Sequence, residues 1–362
     1  VRMAKTTIEW ATDVWNPVTG CTKVSEGCRN CYAEGIAKRF WGDRPFTEVR
    51  CHEHKLEEPL HWRKPRRVFV NSMSDLFHPD VPFDFIDRVF AVIVSCTVFK
   101  NRPDHVFQIL TKRPERMADY FSTSPSELIQ RWAKAGDGWI FTDNPDVLFS
   151  EAVYSQVCHM WDKDGRNSSG SLYKPWGYPE QLFPLSNVWL GVTAENQQTA
   201  DERIPLLLQT PAAVRFVSVE PMLGEVDLSE WLSPWHIETL IGMDHDPRCD
   251  GSCRYCPIPV PVEEFVPDPP MLDWVICGGE SGPCARPMHP DWTRNLRDQC
   301  KAAGVPFLFK QWGEWYPDRK GIYEQSDSVL FGNTVVHRIG KKAAGRLLDG
   351  VEHNEFPEVQ NG

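Results

Sequence analysis

Three cysteines near the start of the 362-residue chain are spaced for metal chemistry. Cys21, Cys28 and Cys31 lie in the run GCTKVSEGCRNCYAE, directly ahead of a stretch with a helical pattern. Three thiolates on one tight loop fill three positions of a tetrahedral metal ion or of one 4Fe-4S cluster, which leaves a position for a substrate or cofactor. The spacing therefore favours a catalytic site. A structural zinc whose fourth ligand lies elsewhere in the chain is the alternative.

A second group of cysteines lies in the proline-rich run HDPRCDGSCRYCPIPVPVEEFVPDPP. Together with a preceding histidine it forms the pattern His-x3-Cys-x3-Cys-x2-Cys, made of His245, Cys249, Cys253 and Cys256. This pattern predicts a closed Cys3His zinc site, because structural zinc takes four such ligands. A second, auxiliary iron-sulfur cluster is the alternative, and three unligated thiols come third.

Composition and charge indicate a globular protein with an acidic surface. The chain has 41% hydrophobic and 12% aromatic residues and a net charge of −11. This charge argues against broad nonspecific nucleic-acid binding, which relies on Lys and Arg, but it allows a local basic groove. Dense basic clusters occur at residues 63–67 and at Lys112 with Arg113.

The sequence also predicts the compartment. It has no apolar run of about 18 residues, and its first residues lack the apolar core of a signal peptide, so we expect a cytoplasmic protein without a membrane partner. Twelve cysteines in that compartment are expected in metal sites or as reduced core thiols rather than in disulfides.

Short apolar runs that end in polar residues predict parallel strands buried on both faces. They span residues 68–75, 105–113, 187–196, 213–221, 272–281 and 305–314, with a first strand expected near residues 6–12. Helical patterns occupy residues 84–96, 197–209 and 291–304. Six or seven βα units predict an α/β fold with a partial or complete (βα) TIM-like barrel. A doubly wound open sheet is the alternative, disfavoured because no Gly-x-Gly-x-x-Gly follows the first strand.

Two polar or proline-rich segments interrupt the barrel pattern. The predicted organisation is the first half of the barrel with the N-terminal cysteines (1–120), an insertion or lid (121–186), barrel continuation (187–225), a cysteine-rich metal-binding insertion (226–271), barrel completion (272–340) and a C-terminal tail (341–362). The tail is expected to begin as a helix or turn and to end as a loose acidic segment.

Polar residues follow each predicted strand, and in a barrel these strand ends meet at one mouth. Helix caps and turns are the alternative explanation for single members of the set. The residues expected at the mouth are Asn71, Ser72, Ser74, Asp75, Thr111, Lys112, Thr193, Glu195, Asn196, Glu220, Pro221, Gly278, Gly279, Glu280, Lys310 and Gln311.

Six motifs occur in order along the chain: WNPVTGC, GC-x-x-CYAE, SVEPM, GGESG, FKQWGEW and KKAAGRLLDG. With them the chain resembles an uncharacterised bacteriophage and prophage protein family that is similar to the radical S-adenosylmethionine enzymes. The resemblance implies a barrel of the radical S-adenosylmethionine type, a 4Fe-4S cluster and S-adenosylmethionine as cofactors. It also implies a reductant such as flavodoxin or ferredoxin as partner, and the cytoplasm of a bacterial host cell.

In such an enzyme three thiolates hold the cluster, and its fourth iron is open to the amino and carboxylate groups of S-adenosylmethionine. Reduction then cleaves the sulfonium and releases a 5′-deoxyadenosyl radical. The usual spacing of three and two residues, with an aromatic before the last cysteine, occurs here at Cys249, Cys253 and Cys256. We nevertheless assign the catalytic cluster to Cys21, Cys28 and Cys31, because they follow the first strand and precede a helix.

The remaining roles follow from this assignment. Cofactor binding is assigned to Asn71, Ser72, Ser74, Asp75, Thr193, Glu195, Glu220, Gly278, Gly279 and Glu280. Of these, Glu220 or Glu280 could hold the ammonium group. The residues placed nearer the substrate are Asn71, Ser74, Asp75, Lys112 and Lys310. Catalytic roles are assigned to Lys112, Glu220 and Lys310. A nucleic-acid base or nucleotide is the leading substrate expectation, and a peptide or small metabolite stays open. The rival functions are a non-enzymatic, zinc-stapled nucleic-acid-binding protein and a metallohydrolase.

Overall fold

The computed structural model describes residue 6 and residues 8–99, 102–140, 142, 146–158, 182–232, 270–317 and 327–358. Its strands are β1 (Asp13–Trp15), β2 (Val18–Thr19), β3 (Arg50–Cys51), β4 (Arg67–Val70), β5 (Val106–Thr111), β6 (Val188–Thr193), β7 (Val214–Val219), β8 (Trp274–Gly278), β9 (Phe307–Gln311), β10 (Trp315–Pro317), β11 (Ser328–Phe331) and β12 (Thr334–Arg338). Its helices are α1 (Tyr32–Phe40), α2 (Phe83–Val98), α3 (Pro114–Tyr120), α4 (Pro125–Ala135), α5 (Phe149–Cys158), α6 (Gln197–Gln209), α7 (Ser229–Leu232), α8 (Pro290–Ala303) and α9 (Lys341–Ala344).

Seven strands form one parallel sheet in the order β1-β4-β5-β6-β7-β8-β9, so the strands of this sheet lie in chain order. The strands β2 and β3 pair separately with each other. Apolar residues alternate between its two faces, as Phe107 and Ile109 of β5 contact the outer helices while Val106 and Leu110 face inward. On the outer face α2 is buried along nearly its whole length. This run of parallel strands connected mainly through helices confirms the predicted α/β class, and all seven strands end on the same side of the sheet.

The sheet is curled into part of a barrel. Trp10, which precedes β1, lies 4.4 Å from the ring of Phe69 on β4, 6.2 Å from Phe216 on β7 and 6.5 Å from Trp274 on β8. In a flat sheet β4 and β8 would be about 19 Å apart, since neighbouring strands are about 4.8 Å apart. One indole reaches both only because the sheet closes around it. The inner face is therefore a packed aromatic core, as in a barrel.

The barrel is partial. Among the described residues β1 and β9 do not pair, so the sheet stays open between its first and last strands and the complete barrel is not formed. The first strand also begins later than expected, at Asp13 rather than near residue 6, because residues 8–11 form a turn that carries Trp10 into the interior. The other six predicted strands and the three predicted helices are confirmed to within a few residues.

Residues 351–358 of the C-terminal tail are described, and part of this segment packs along the sheet, in contrast to the loose segment expected after residue 350. Residues 353–355 run along the free edge of β9: Leu308 pairs with Asn354 in an antiparallel bridge, and Phe309 N–H donates to His353 O at 3.0 Å. The Trp274 indole N–H donates to Glu355 O at 2.9 Å. The tail thereby pairs with backbone groups of the edge strand β9 that an open sheet would leave exposed. A small antiparallel sheet, β10-β12-β11, was not predicted and precedes this tail.

The two predicted insertions differ in what the structure describes. In the first, α4 packs on α2 in the outer layer through Leu128, Ile129 and Trp132, and its Arg131 pairs with Asp87 of α2 at 2.8 Å. The second is described only up to residue 232 and from residue 270. The predicted zinc or iron-sulfur ligands His245, Cys249, Cys253 and Cys256 lie outside the described residues, so that site stays a prediction. No described helix has the length and apolar character needed to cross a bilayer.

Candidate functional site

A cavity of about 320 Å³ lies at the carboxyl ends of the parallel strands. Its floor is apolar and consists of Ile8, Trp10, Phe69 and Leu110, the upper part of the curled sheet's inner face. Its walls are polar and come from nearly every strand end: Asn71, Ser72, Ser74, Asp75, Thr111, Lys112, Arg113, Thr193, Ser218, Glu220, Gly279, Glu280, Lys310 and Gln311. The structure thus brings most of the predicted ring together at one mouth, as the barrel argument expects.

The N-terminal cysteines line the same cavity. Cys21, Cys28 and Cys31 are half-buried, carry free thiols and contribute to its wall. Cys28 ends a short 3-10 turn, and Cys31 immediately precedes α1. Burial, reinforced by Asp75, raises the pKa of the Cys21 thiol to about 11. Residues 21–31, which carry these thiols, form the cysteine loop.

Arg113 holds the first end of the cysteine loop. Its guanidinium lies 3.5 Å from Cys21 Sγ, donates to Thr22 O at 2.8 Å and pairs with Asp75 at 3.0 Å. Asp75 also accepts from Thr111 Oγ1 at 2.8 Å, so the ends of β4 and β5 are tied together. Arg113 lowers the pKa of the Cys21 thiol, but burial and Asp75 outweigh this effect, so its contact with Sγ mainly fixes the direction of the thiol.

Glu195 holds the middle of the cysteine loop. Only 1% exposed, it accepts from Ser25 Oγ at 2.7 Å and pairs with Lys112 at 2.9 Å and Arg203 at 3.0 Å. Burial opposes its ionisation, but the two cations outweigh burial and lower the pKa of Glu195. A Cβ at Gly27 would lie 2.2 Å from the Glu195 carboxylate, so the loop can approach this closely only with glycine there. Glu195 itself does not line the cavity.

Glu280 holds the last part of the cysteine loop. Arg286 donates to both of its carboxylate oxygens, at 3.0 and 2.8 Å, and Asn30 donates to it at 3.1 Å. Arg286 also reaches Glu26 O at 2.9 Å. Burial opposes ionisation of Glu280, but the hydrogen bonds from Arg286 prevail and lower its pKa. Arg286 and Asn30 therefore occupy most of its hydrogen-bonding capacity, and the predicted ammonium-binding role of Glu280 stays a prediction.

Glu220 and Lys310 form a separate ion pair across the cavity wall. Their side chains come from the end of β7 and from β9, lie 2.8 Å apart and are 19% and 15% exposed. Neither makes a hydrogen bond to the cysteine loop in the part of the chain that the structure describes. Asp75 and Glu280 also line the cavity, but each accepts several hydrogen bonds, whereas the Glu220 side chain contacts only Lys310 among the described residues.

The remaining predicted residues have structural contacts that the sequence did not reveal. Asn71, at φ 63°, accepts from Val18 N–H at 3.1 Å, and Ser74 Oγ donates to Val18 O at 2.9 Å. Gly278 lies within β8 away from the cavity lining, and a Cβ there would make only an ordinary contact, 3.4 Å from Glu220. At Gly279 a Cβ would lie 2.0 Å from Trp312 O, so the packing of two chain segments requires glycine at this position.

Sequence reasoning missed Asn30, Arg203 and Arg286, which hold the site, and noted Arg113 only as part of a basic cluster. Asn30 and Arg286 meet at Glu280, and Arg203 lies behind Glu195. Asn30 could have been suspected from its place between two cysteines. The two arginines gave no signal, because each reaches the site from a helix or loop whose packing the sequence pattern does not specify.

The donor set bears on which metal group the site could hold. No three His, Cys, Asp or Glu side chains in the described ranges are grouped so as to hold a metal ion. In a 4Fe-4S cluster each thiolate binds a different iron, so the thiols surround a cube rather than one point. Cys21, Cys28 and Cys31 share one cavity, with Arg113 beside Cys21, but they do not form such a group in the described residues.

Comparisons with known proteins place the whole chain in one family. Residues 5–357 match the family described as protein of unknown function, DUF5131. No curated protein and no solved structure matches the chain. The match covers nearly every residue, including the cysteine loop and all seven strands of the sheet, and the chain therefore belongs to the DUF5131 family.

Proposed function

We propose that this protein is a radical S-adenosylmethionine enzyme. The observation that carries the proposal is that Cys21, Cys28 and Cys31 line one cavity at the carboxyl ends of a curled parallel sheet. Active sites of barrel enzymes lie at this end of the strands. Three thiols leave one iron of a cube without a protein ligand, which distinguishes an open site from a structural one.

The residues around the cavity divide into those that hold the loop and those that face a ligand. Arg113 contacts Cys21 Sγ, whereas Glu195 and Glu280 hold the loop through Ser25 and Asn30. Such supporting contacts keep a metal ligand in place and tune its charge. When bound, a cluster of this kind supplies the electron that cleaves S-adenosylmethionine into methionine and a 5′-deoxyadenosyl radical.

Glu220 and Lys310 are the residues best placed to bind a ligand directly. Because each is partly exposed to the cavity, the pair can open to receive a group of opposite charge. Glu220 would accept from the ammonium group of S-adenosylmethionine, and Lys310 would then be free to bind an anionic group of cofactor or substrate. Lys112, 20% exposed and held by Glu195, would act beside it on the substrate.

The apolar floor and the charged wall together suggest the substrate class. Trp10 and Phe69 would accept a flat or apolar group, while Lys112, Lys310 and the exposed Lys341 at the cavity edge would accept an anion. A nucleotide or a nucleic-acid base with its phosphate combines both properties. The cavity volume lies in the range of small-molecule sites.

Anaerobic purification and reconstitution with iron and sulfide test the proposal. We expect a brown protein that shows the paramagnetic signal of a reduced 4Fe-4S cluster and converts S-adenosylmethionine to 5′-deoxyadenosine. Cys28→Ala should lose both properties, while Cys51→Ala is the matched control, since Cys51 is also a half-buried free thiol but lies outside the cavity. A colourless protein holding zinc at the cysteine loop would overturn the proposal, as would a Cys28→Ala variant that keeps its iron and its activity.

A further inference from the structure

Helix α1, which follows the cysteine loop, buries small residues and exposes large apolar ones. On α1 the small residues Ala33 and Ala37 are buried, whereas Tyr32, Ile36 and Phe40 are 51%, 41% and 72% exposed. Residues at i, i+4 and i+8 share one face of a helix, so these three form a continuous apolar stripe about 12 Å long. A helix that packs only on its own domain would turn its large apolar residues inward.

This stripe is part of a larger apolar concentration at the cysteine loop. Val24, within the loop, is 46% exposed. Of the eight large hydrophobic residues exposed in the described part of the chain, four thus lie between residues 24 and 40, and the others are separate: Leu148, Leu330, Leu347 and Val351. Single exposed apolar residues are common, but a group of them marks a surface that another molecule covers.

The charges around the stripe indicate the character of that molecule. Lys23 and Lys38 both pair with Glu34, at 3.2 and 2.9 Å. Arg29 and Arg39 are exposed and make no ion pair with any described residue. In a chain of net charge −11, two unpaired arginines beside an apolar stripe complement an acidic protein face. A nucleic-acid strand would be matched by a longer row of unpaired cations than these two.

We propose that the stripe Tyr32, Ile36 and Phe40, with Arg29 and Arg39, is the docking surface for a small acidic electron-transfer protein. The inference rests on the proposed function, because only an iron-sulfur cluster at the cysteine loop gives such a partner something to reduce. The stripe begins at the residue directly after Cys31, and Tyr32 also lines the cavity that the three thiols line. One electron leaves the reduced flavin or iron-sulfur centre of the donor and enters the cluster, so the donor is oxidised and the cluster reduced by one electron each.

Stopped-flow reduction of the reconstituted protein tests this surface with two kinds of donor. Reduced flavodoxin and reduced ferredoxin are the protein donors, and dithionite is a small reductant that needs no docking surface. We expect Phe40→Glu and Arg39→Glu to slow reduction by at least one protein donor tenfold or more while reduction by dithionite stays unchanged. Leu330→Glu is the matched control, since Leu330 is 66% exposed on β11 away from the cysteine loop, and it should behave as wild type. The wild-type rate should fall as salt is added.

The outcomes separate this inference from the proposed function. If dithionite reduces the cluster but neither protein donor does, or if Phe40→Glu is reduced as fast as wild type, the docking surface is wrong and the enzyme assignment stands. If no cluster forms at all, the proposed function fails first. Loss of single-stranded oligonucleotide binding, or of a dimer on gel filtration, in Phe40→Glu with unchanged electron transfer would assign the stripe to a nucleic acid or to a second copy of the chain instead.

Discussion

At the scale of single residues, the site separates acidic groups that look equivalent in sequence. Glu195, Glu220 and Glu280 all follow parallel strands, and a sequence pattern assigns them one role. Glu195 pairs with two cations and accepts from Ser25. Glu280 accepts from Arg286 with both carboxylate oxygens and also accepts from Asn30. Among the described residues, Glu220 contacts only Lys310. Since a carboxylate already bound by several donors has little capacity for a ligand, we infer that Glu195 and Glu280 position the cysteine loop and that Glu220 binds.

This difference predicts opposite results for two matched substitutions. Glu280→Gln should weaken the contact of Arg286 and Asn30 with the cysteine loop by about 1.5–3 kcal/mol, because hydrogen bonds between charged groups contribute that much. The variant should therefore hold less iron after reconstitution. Glu220→Gln should keep its iron and its colour but bind S-adenosylmethionine about tenfold more weakly or worse, since it loses one charge-assisted contact.

Iron analysis and calorimetric titration measure the two effects separately. Full iron in Glu280→Gln together with weakened S-adenosylmethionine binding would return Glu280 to the cofactor-binding role that the sequence suggested. Unchanged affinity in Glu220→Gln would show that the Glu220–Lys310 pair serves the substrate or the fold.

At the scale of elements, patterns within one segment were predictable and contacts between segments were not. The strands β4 to β9 were predicted because each is a short β-branched or aromatic run, and α8 because Gly304 ends it with φ 70°. The packing of the C-terminal tail was not predicted, because it depends on contacts with the free edge of β9 and with α8. There Asp349 accepts from Arg294 at 2.8 Å and from Arg297 at 2.9 Å.

The Asp349 contact predicts a defined pH dependence of stability. Hydrogen bonds from Arg294 lower the pKa of Asp349 from 3.8 to about 2, against the opposing effect of partial burial. A lowered folded-state pKa stabilises the protein above the unfolded-state value, and this stabilisation is lost as pH falls from about 4 towards 2. Asp349→Asn should thus be less stable than wild type at pH 7, with a difference that shrinks below pH 4. Asparagine tolerates the φ of 53° at this position, so backbone strain does not confuse the comparison.

Urea denaturation of both proteins between pH 7 and pH 3 measures this difference. The effect is modest, because the Asp349 side chain is 34% exposed and solvent screens the pair. Asp43→Asn is the control, an exposed aspartate without an ion pair among the described residues. A difference between Asp349→Asn and wild type that stays constant down to pH 3 would assign the stabilisation to packing rather than to charge.

At the scale of the whole molecule, the curl of the sheet decides where the site forms. A ring of polar strand ends was predictable from the order of apolar runs, because parallel strands in chain order place their ends on one side. How far the sheet closes into a barrel was not predictable, since it depends on how Trp10, Phe216 and Trp274 fill the interior. The open edge that results must be covered by something outside the repeating βα pattern, and residues 353–355 do so.

Deleting residues 351–362 should therefore damage the whole fold. The deletion removes the segment that pairs with Leu308 and Phe309 and the carbonyl that accepts from the Trp274 indole. It would also expose Trp274, whose ring lies 5.1 Å from Phe356 and is fully buried in the intact chain. An unpaired edge beside an exposed aromatic core promotes aggregation, so we expect a lower melting temperature and concentration-dependent light scattering. Val351→Ser, at a residue 57% exposed in the same segment, should behave as wild type in both measurements. A truncated protein that melts at the wild-type temperature and stays monomeric would show that β9 is stable without its cover, and that the half-barrel is complete before the tail is added.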